Sequence, residues 1–196
     1  GKQQFYFVVK NGNEWGDAQK LNSPVNNSNV MWCSFPQNGN LYYTNVDVES
    51  VYLSKYTNGE YLAGTKLNAG MHPYVASDES FFLYDNGGTI YVRFKKPNNQ
   101  GWTNAISISN LVNTPNHEGT PSLSPDEKYL FFARYIDKSD IYWTRIDNII
   151  DSIKYANFVL YVKNRISNQV DTIGMQFNYT IPDSTFIDDD GNNTLT

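Results

Sequence analysis

Ser124-Pro125-Asp126-Glu127-Lys128-Tyr129-Leu130-Phe131-Phe132 reads as a tight turn feeding a strand. Pro125 presets φ for a turn position, and Asp126 can bond the backbone amides ahead of it. The aromatic and aliphatic run that follows has β character. Two eroded copies lie upstream, Ala76-Ser77-Asp78-Glu79-Ser80-Phe81-Phe82-Leu83-Tyr84 and Phe35-Pro36-Gln37-Asn38-Gly39-Asn40-Leu41-Tyr42-Tyr43. With Pro36, Ser77 and Pro125 as anchors, the copies stand 41 and 48 residues apart.

Each repeat resolves into four strand-like pieces. The piece after the turn is followed by a run with a Tyr behind an aliphatic residue: Val51-Tyr52, Ile90-Tyr91 and Ile141-Tyr142. Gln4 to Val8 matches that run at the N-terminus, and Trp15, Tyr61 and Trp102 hold corresponding places in the fourth piece. Asn11-Gly12, Asn58-Gly59, Asn86-Gly87-Gly88 and Asn98-Asn99-Gln100-Gly101 supply hairpin turns between them. A period in the 40s built from strands and turns is the sequence form of a β-propeller blade. The expected fold is therefore all-β: a partial propeller with about three to four four-stranded blades' worth of sequence, a short helix, then a β-strand tail. Residues 1–154 form the propeller segment, with repeats near 31–71, 72–119 and 120–145 and a partial blade over 1–30. Residues 155–196 form a linker and a second, truncated module.

Composition agrees. Aromatic residues make up 15% of the chain, and 25 Asn crowd the segments between apolar runs. The net charge is −5 with no Lys/Arg cluster, so a nucleic-acid partner is not expected. No apolar run reaches the roughly 18 residues a membrane span needs. The single Cys33 excludes an intrachain disulfide. It sits behind Val30-Met31-Trp32 and is expected to be buried.

Glu118 to Phe132 together with Asp140-Ile141-Tyr142-Trp143 resembles the WD40-like propeller repeats of TolB-type bacterial envelope proteins. Weaker copies run from His72 to Tyr84 with Thr89 to Val92, and the resemblance covers roughly residues 1–150. Ile146, Ile149, Ile150 and Ile153 fall on one helical face and look like the helix that closes the last blade in this family. Val170 to Tyr179 alternates as a strand, and Ile181 to Thr196 resembles the opening of a cadherin-like immunoglobulin-type repeat. The resemblance implies a periplasmic, secreted or cell-surface bacterial protein, and a non-catalytic propeller that binds protein or carbohydrate. The expected recognition loops are Asn22 to Asn29, Gly70 to Pro73 and Asn113 to Gly119.

The partial blades at the two ends join to give about three blades, fewer than the four to eight of a closed ring. Open strand edges must then be covered by more sequence or by another copy. A homodimer that closes the ring is one expected partner arrangement.

Asp188, Asp189, Asp190 and Asn192 surround Gly191 in the tail. Oxygen ligands of this kind suit Ca²⁺, and acidic turns of cadherin-like repeats imply the same ion. The residues alone fit a solvated acidic hairpin turn as well. His72 and His117 occupy non-matching repeat positions and read as loop or satisfied polar residues. No Gly-x-Ser-x-Gly elbow and no phosphate loop occurs. Two alternatives to a binding module stay open. One is a carbohydrate-active propeller enzyme, a lyase or hydrolase, which requires three or more convergent His, Glu or Asp side chains. The other is a structural spacer within a large surface protein.

Overall fold

The computed structural model describes residues 1–96, 100–158, 161–162, 180 and 186–187. Two compact units are present, Gly1–Ile149 and Ile150–Thr196.

The first unit is a series of antiparallel sheets. Strands β1 (Tyr6–Phe7), β2 (Lys10–Asn11), β3 (Glu14–Trp15) and β4 (Gln19–Lys20) make two short pairs, β1 with β4 and β2 with β3. The next sheet contains β5 (Val30–Ser34), β6 (Leu41–Asn45) and β7 (Ser50–Ser54). After the β8–β9 hairpin (Tyr56–Thr57, Glu60–Tyr61), β10 (Thr65–Ala69) returns to pair with β7. A second four-stranded sheet follows as β11 (Met71–Val75), β12 (Phe81–Asn86), β13 (Thr89–Phe94) and β14 (Ile106–Ser107). The third sheet is three-stranded: β15 (His117–Leu123), β16 (Tyr129–Tyr135) and β17 (Ser139–Arg145). Each is an up-and-down meander joined by short turns, Asn- and Gly-rich at Asn58-Gly59 and Asn86-Gly87-Gly88 and acidic at Asp78-Glu79 and Asp126-Glu127. The 12-residue helix α1 (Asp147–Phe158) comes next, one residue after the isoleucine pattern begins at Ile146. In the second unit, β18 (Tyr161–Val162) pairs with β19 (Phe186–Ile187). The strand expected over 170–179 lies outside the described residues.

The sheets stack face to face, which explains the strand sequences. All five residues of β6, Leu-Tyr-Tyr-Thr-Asn, are buried because both faces of that strand are covered. Tyr42 and Val51 point one way and pack with Val75, Phe82 and Tyr84 of the second sheet. Leu41 and Tyr43 point the other way, onto Val25, Val30, Phe5 and Leu21. Strand β13 alternates instead, with Ile90, Val92 and Phe94 buried beneath β15 and its other face half-exposed. Trp15, Tyr61 and Trp102 do hold equivalent places: each closes the hairpin between third and fourth strands, opposite Lys10, Tyr56 and Lys95.

One alignment shifts. Gly39, Glu79 and Glu127 are the left-handed residues of the three turns, and their amides donate to the carbonyls of Pro36, Ala76 and Ser124. The turns therefore match on Pro36, Ala76 and Ser124, whereas the strands behind them keep the 41-residue offset. The first repeat is one residue shorter between turn and strand. An alignment by side-chain type cannot see this, because the turn is fixed by backbone bonds.

A feature with no sequence signal recurs in each of the three larger sheets. The first strand carries one extra residue, at Trp32, His72 and Thr120, and all three have positive φ near +50°. Such β-bulges leave an amide unpaired within the sheet and bend the strand. The preceding sheet supplies the missing acceptors. His72 N donates to Thr44 Oγ1 at 3.1 Å, and Thr120 N donates to Asp85 Oδ2 at 2.9 Å.

Candidate functional site

Several places in the first unit gather chemistry-bearing side chains. One is the row of bulges, where His72 Nδ1 lies 2.6 Å from Asp85 Oδ2 and the Trp32 ring meets the His72 ring edge-on at 4.1 Å. Asp85 is buried, and its Oδ2 also receives the Thr120 amide. That oxygen therefore links the second and third sheets, and the arrangement is fully explained by packing. Of the loops expected from sequence, residues 71–73 are instead the start of β11 and residues 117–119 the start of β15. His117, at the head of β15, packs over Gly88 and stays apart from this pair in the hydrogen-bond network.

A second place is a groove of about 720 Å³ between the N-terminal strands and the first sheet. Strand β1 and its neighbours bring Phe5, Tyr6 and Phe7 to one wall. The end of β5 brings Cys33 and Phe35 to the other, and the β8–β9 hairpin contributes Tyr56 and Tyr61, whose rings lie 4.9 Å apart. Gln19, Lys20, Asn22 and Glu60 form its polar margin. The wall is fixed from behind by Asn26, a buried residue of a short 3₁₀ turn. Its Nδ2 donates to the Phe5 and Leu21 carbonyls at 3.0 and 2.7 Å, and its Oδ1 accepts from Phe5 N at 2.8 Å. One amide thus clamps the segments that carry β1 and β4, which explains why such short strands hold their place.

Cys33 is exposed on the groove wall rather than buried. In a β-bulge the extra residue Trp32 reverses the alternation expected from Val30-Met31-Trp32, and this turns the thiol outward. Crowding by surrounding protein still pushes the thiol above its ordinary value through desolvation. On the covered side, burial pushes Tyr43 up to about 12, with the neighbouring Tyr52 adding to it.

A third cluster lies inside the stack. Glu79 is buried, which opposes its charge, yet bonds from Lys95, Asn40 and Tyr42 hold its carboxyl below the usual range. The distances are 2.5, 2.8 and 2.7 Å. Burial, with the adjacent carboxylate, drives the Tyr42 phenol strongly upward. The carboxylate is held by three donors inside the stack, so the cluster is a structural rivet.

The calcium candidates Asp188, Asp189, Asp190 and Asn192 lie outside the described residues. Among the described residues, no three His, Cys, Asp or Glu side chains are grouped so as to hold a metal ion. No described helix is long and apolar enough to cross a membrane. The groove aromatics escaped the sequence reading because each was absorbed into a strand pattern. Aligned by residue type, Phe35 falls opposite Ala76 and Ser124; only the turn bonds place it opposite the aliphatic Val75 and Leu123.

No protein-family profile matches the chain, and no curated protein does. Among solved structures, a crystal structure of a protein from Lactobacillus plantarum matches with a TM-score of 0.36 and 12% identity. The match covers 61% of this chain and 42% of that one, so the chain spans less than half the length of that structure. A likeness of that depth carries no weight for fold or function.

Proposed function

We propose that this chain is a non-catalytic recognition segment of β-propeller type, from a bacterial envelope or surface protein, and that the groove beside β1 seats protein. The propeller reading draws on three successive antiparallel meanders whose first strands lie next to one another and share the same bulge. The observation that carries the ligand class is the groove itself. Its walls are the broad faces of β-strands and their aromatics, set where the sheet stack is interrupted, and stacked sheets need about 10 Å between them. An extended element with alternating apolar side chains fits such walls, and the β1 edge offers backbone partners to it.

The test is selection from a displayed random-peptide library at low protein concentration. Extended peptides with alternating apolar residues are expected, with binding lost in Phe35→Asp. The reading fails if soluble oligosaccharides quench groove fluorescence and the quenching disappears in Tyr6→Ala. It fails equally if the protein depolymerises a polysaccharide, which would move the assignment to the carbohydrate-active class.

A further inference from the structure

Among the described residues the stack has two unmatched ends, and the internal repeat shows what each is built to meet. In the second sheet Leu83 pairs with Val92, and Asp85 with Ile90. The corresponding pairs of the third sheet are Phe131 with Trp143 and Ala133 with Ile141. Leu83, Val92 and Ile90 are each 0% exposed because β15 lies across β12 and β13. Phe131, Trp143 and Ile141 are 41%, 65% and 72% exposed. The same apolar face that is closed in the second sheet is open in the third. Edge and face are open together: among the described residues no strand pairs with the outer side of β17, whereas β10 and β14 fill that place in the other two sheets.

The opposite end is open in the complementary sense. The residue just before each turn is Phe35, Val75 or Leu123. Val75 and Leu123 are covered by the preceding sheet, at 3% and 6% exposure, but Phe35 is 53% exposed in the groove. The N-terminal strands β1 and β4 cover only part of that side. They match the third and fourth strands of a repeat, and the third sheet contains a first, second and third.

We propose that these ends meet between two copies of this chain: the Phe131–Trp143 face of one copy seats in the Phe35 groove of the other, and reciprocally. The proposal rests on the groove being a protein seat, and it names the protein. The contact continues the interface already made twice inside the chain, apolar face of one sheet against the first strand of the next. It also covers the open β17 edge, which is otherwise an aggregation template. Because the two surfaces differ, the contact is heterologous, and two equal contacts close on themselves in a dimer.

Light scattering on the full chain is expected to give twice its 22.4 kDa mass. Phe131→Glu/Trp143→Glu, and separately Phe35→Glu, are expected to be monomeric with unchanged circular dichroism, since all three side chains are exposed. Mixing the two variants restores a heterodimer, because one native contact can still form; a symmetric patch-to-patch contact gives no such rescue. A wild-type monomer at several hundred micromolar overturns the proposal, as does a dimer that survives both variants. If the wild type is monomeric while groove-binding peptides are still selected, the protein seat stands and the second copy is excluded as its occupant.

Discussion

Glu79 accepts a hydrogen bond from the Tyr42 hydroxyl at 2.7 Å, across the junction between the first and second sheets. Glu79 is the left-handed residue of the second repeat's turn, so the turn that starts one sheet also fastens the sheet before it. The third repeat does likewise, since Glu127 Oε1 accepts the Ser77 amide at 2.6 Å. The Ser-Pro-Asp-Glu stretch is thus both a turn and an inter-sheet clasp.

Glu79→Gln removes the charge while keeping the shape and the positive-φ backbone. It leaves Lys95 without its counter-ion and is expected to cost about 2 kcal/mol at pH 7. The folded-state carboxyl lies below its unfolded value, so its contribution is complete above about pH 4.3 and is lost as pH falls through the lower, folded value. Denaturant melts of both proteins across pH 2–7 should show the gap closing only in that acidic window. A gap constant to the lowest pH would contradict the assignment.

Asp85→Ala should cost about 3 kcal/mol, because it strips the acceptor from the Thr120 amide at the third sheet's bulge. Asp85→Asn keeps an oxygen for that amide and should recover a large part of the loss. Thermal melting distinguishes the two. Equal destabilisation would mean that the contact to the His72 ring, rather than the Thr120 amide, dominates.

Gly70 joins the first sheet to the second at φ +121°, and a Cβ there would lie 2.5 Å from the Asp85 carbonyl oxygen. Backbone, not a flexible side chain, is in the way. Gly70→Ala is expected to destabilise by about 3 kcal/mol or more, or to prevent soluble expression. Gly59→Ala makes a useful control: its φ is also positive, but the space around it is open. A Gly70 variant no worse than this control would contradict the crowding argument.

Desolvation raises the Cys33 thiol, so its alkylation rate should keep climbing beyond the pH at which an ordinary thiol levels off. Iodoacetamide kinetics from pH 7 to 10.5, read by mass spectrometry on the monomeric Phe131→Glu/Trp143→Glu variant, test this. A plateau near the ordinary thiol value would show that the groove wall is fully solvated.

Much of the architecture was legible because it is local. Aromatic runs spaced by tight turns specify strands and hairpins with neighbours in sequence, and the three β-meanders begin at Val30, Met71 and His117. The Trp15, Tyr61 and Trp102 correspondence was visible for the same reason: a hairpin closes within a few residues. The one-residue offset at Gly39 was not, since turns are fixed by backbone bonds that conceal deletions. The outward thiol of Cys33 was missed because a single bulge residue inverts the alternation that the sequence displays.

By itself, the sequence determined that this is a repeated β chain with a short helix after the last repeat, because strand, turn and helix periods are written in nearest-neighbour chemistry. The bulges at Trp32, His72 and Thr120, the aromatic groove and the unequal ends of the stack were decided only by the tertiary structure. Exposure is a relation between sheets: Val92 and Trp143 hold equivalent places, and one is sealed while the other is open, according to whether another sheet lies across it.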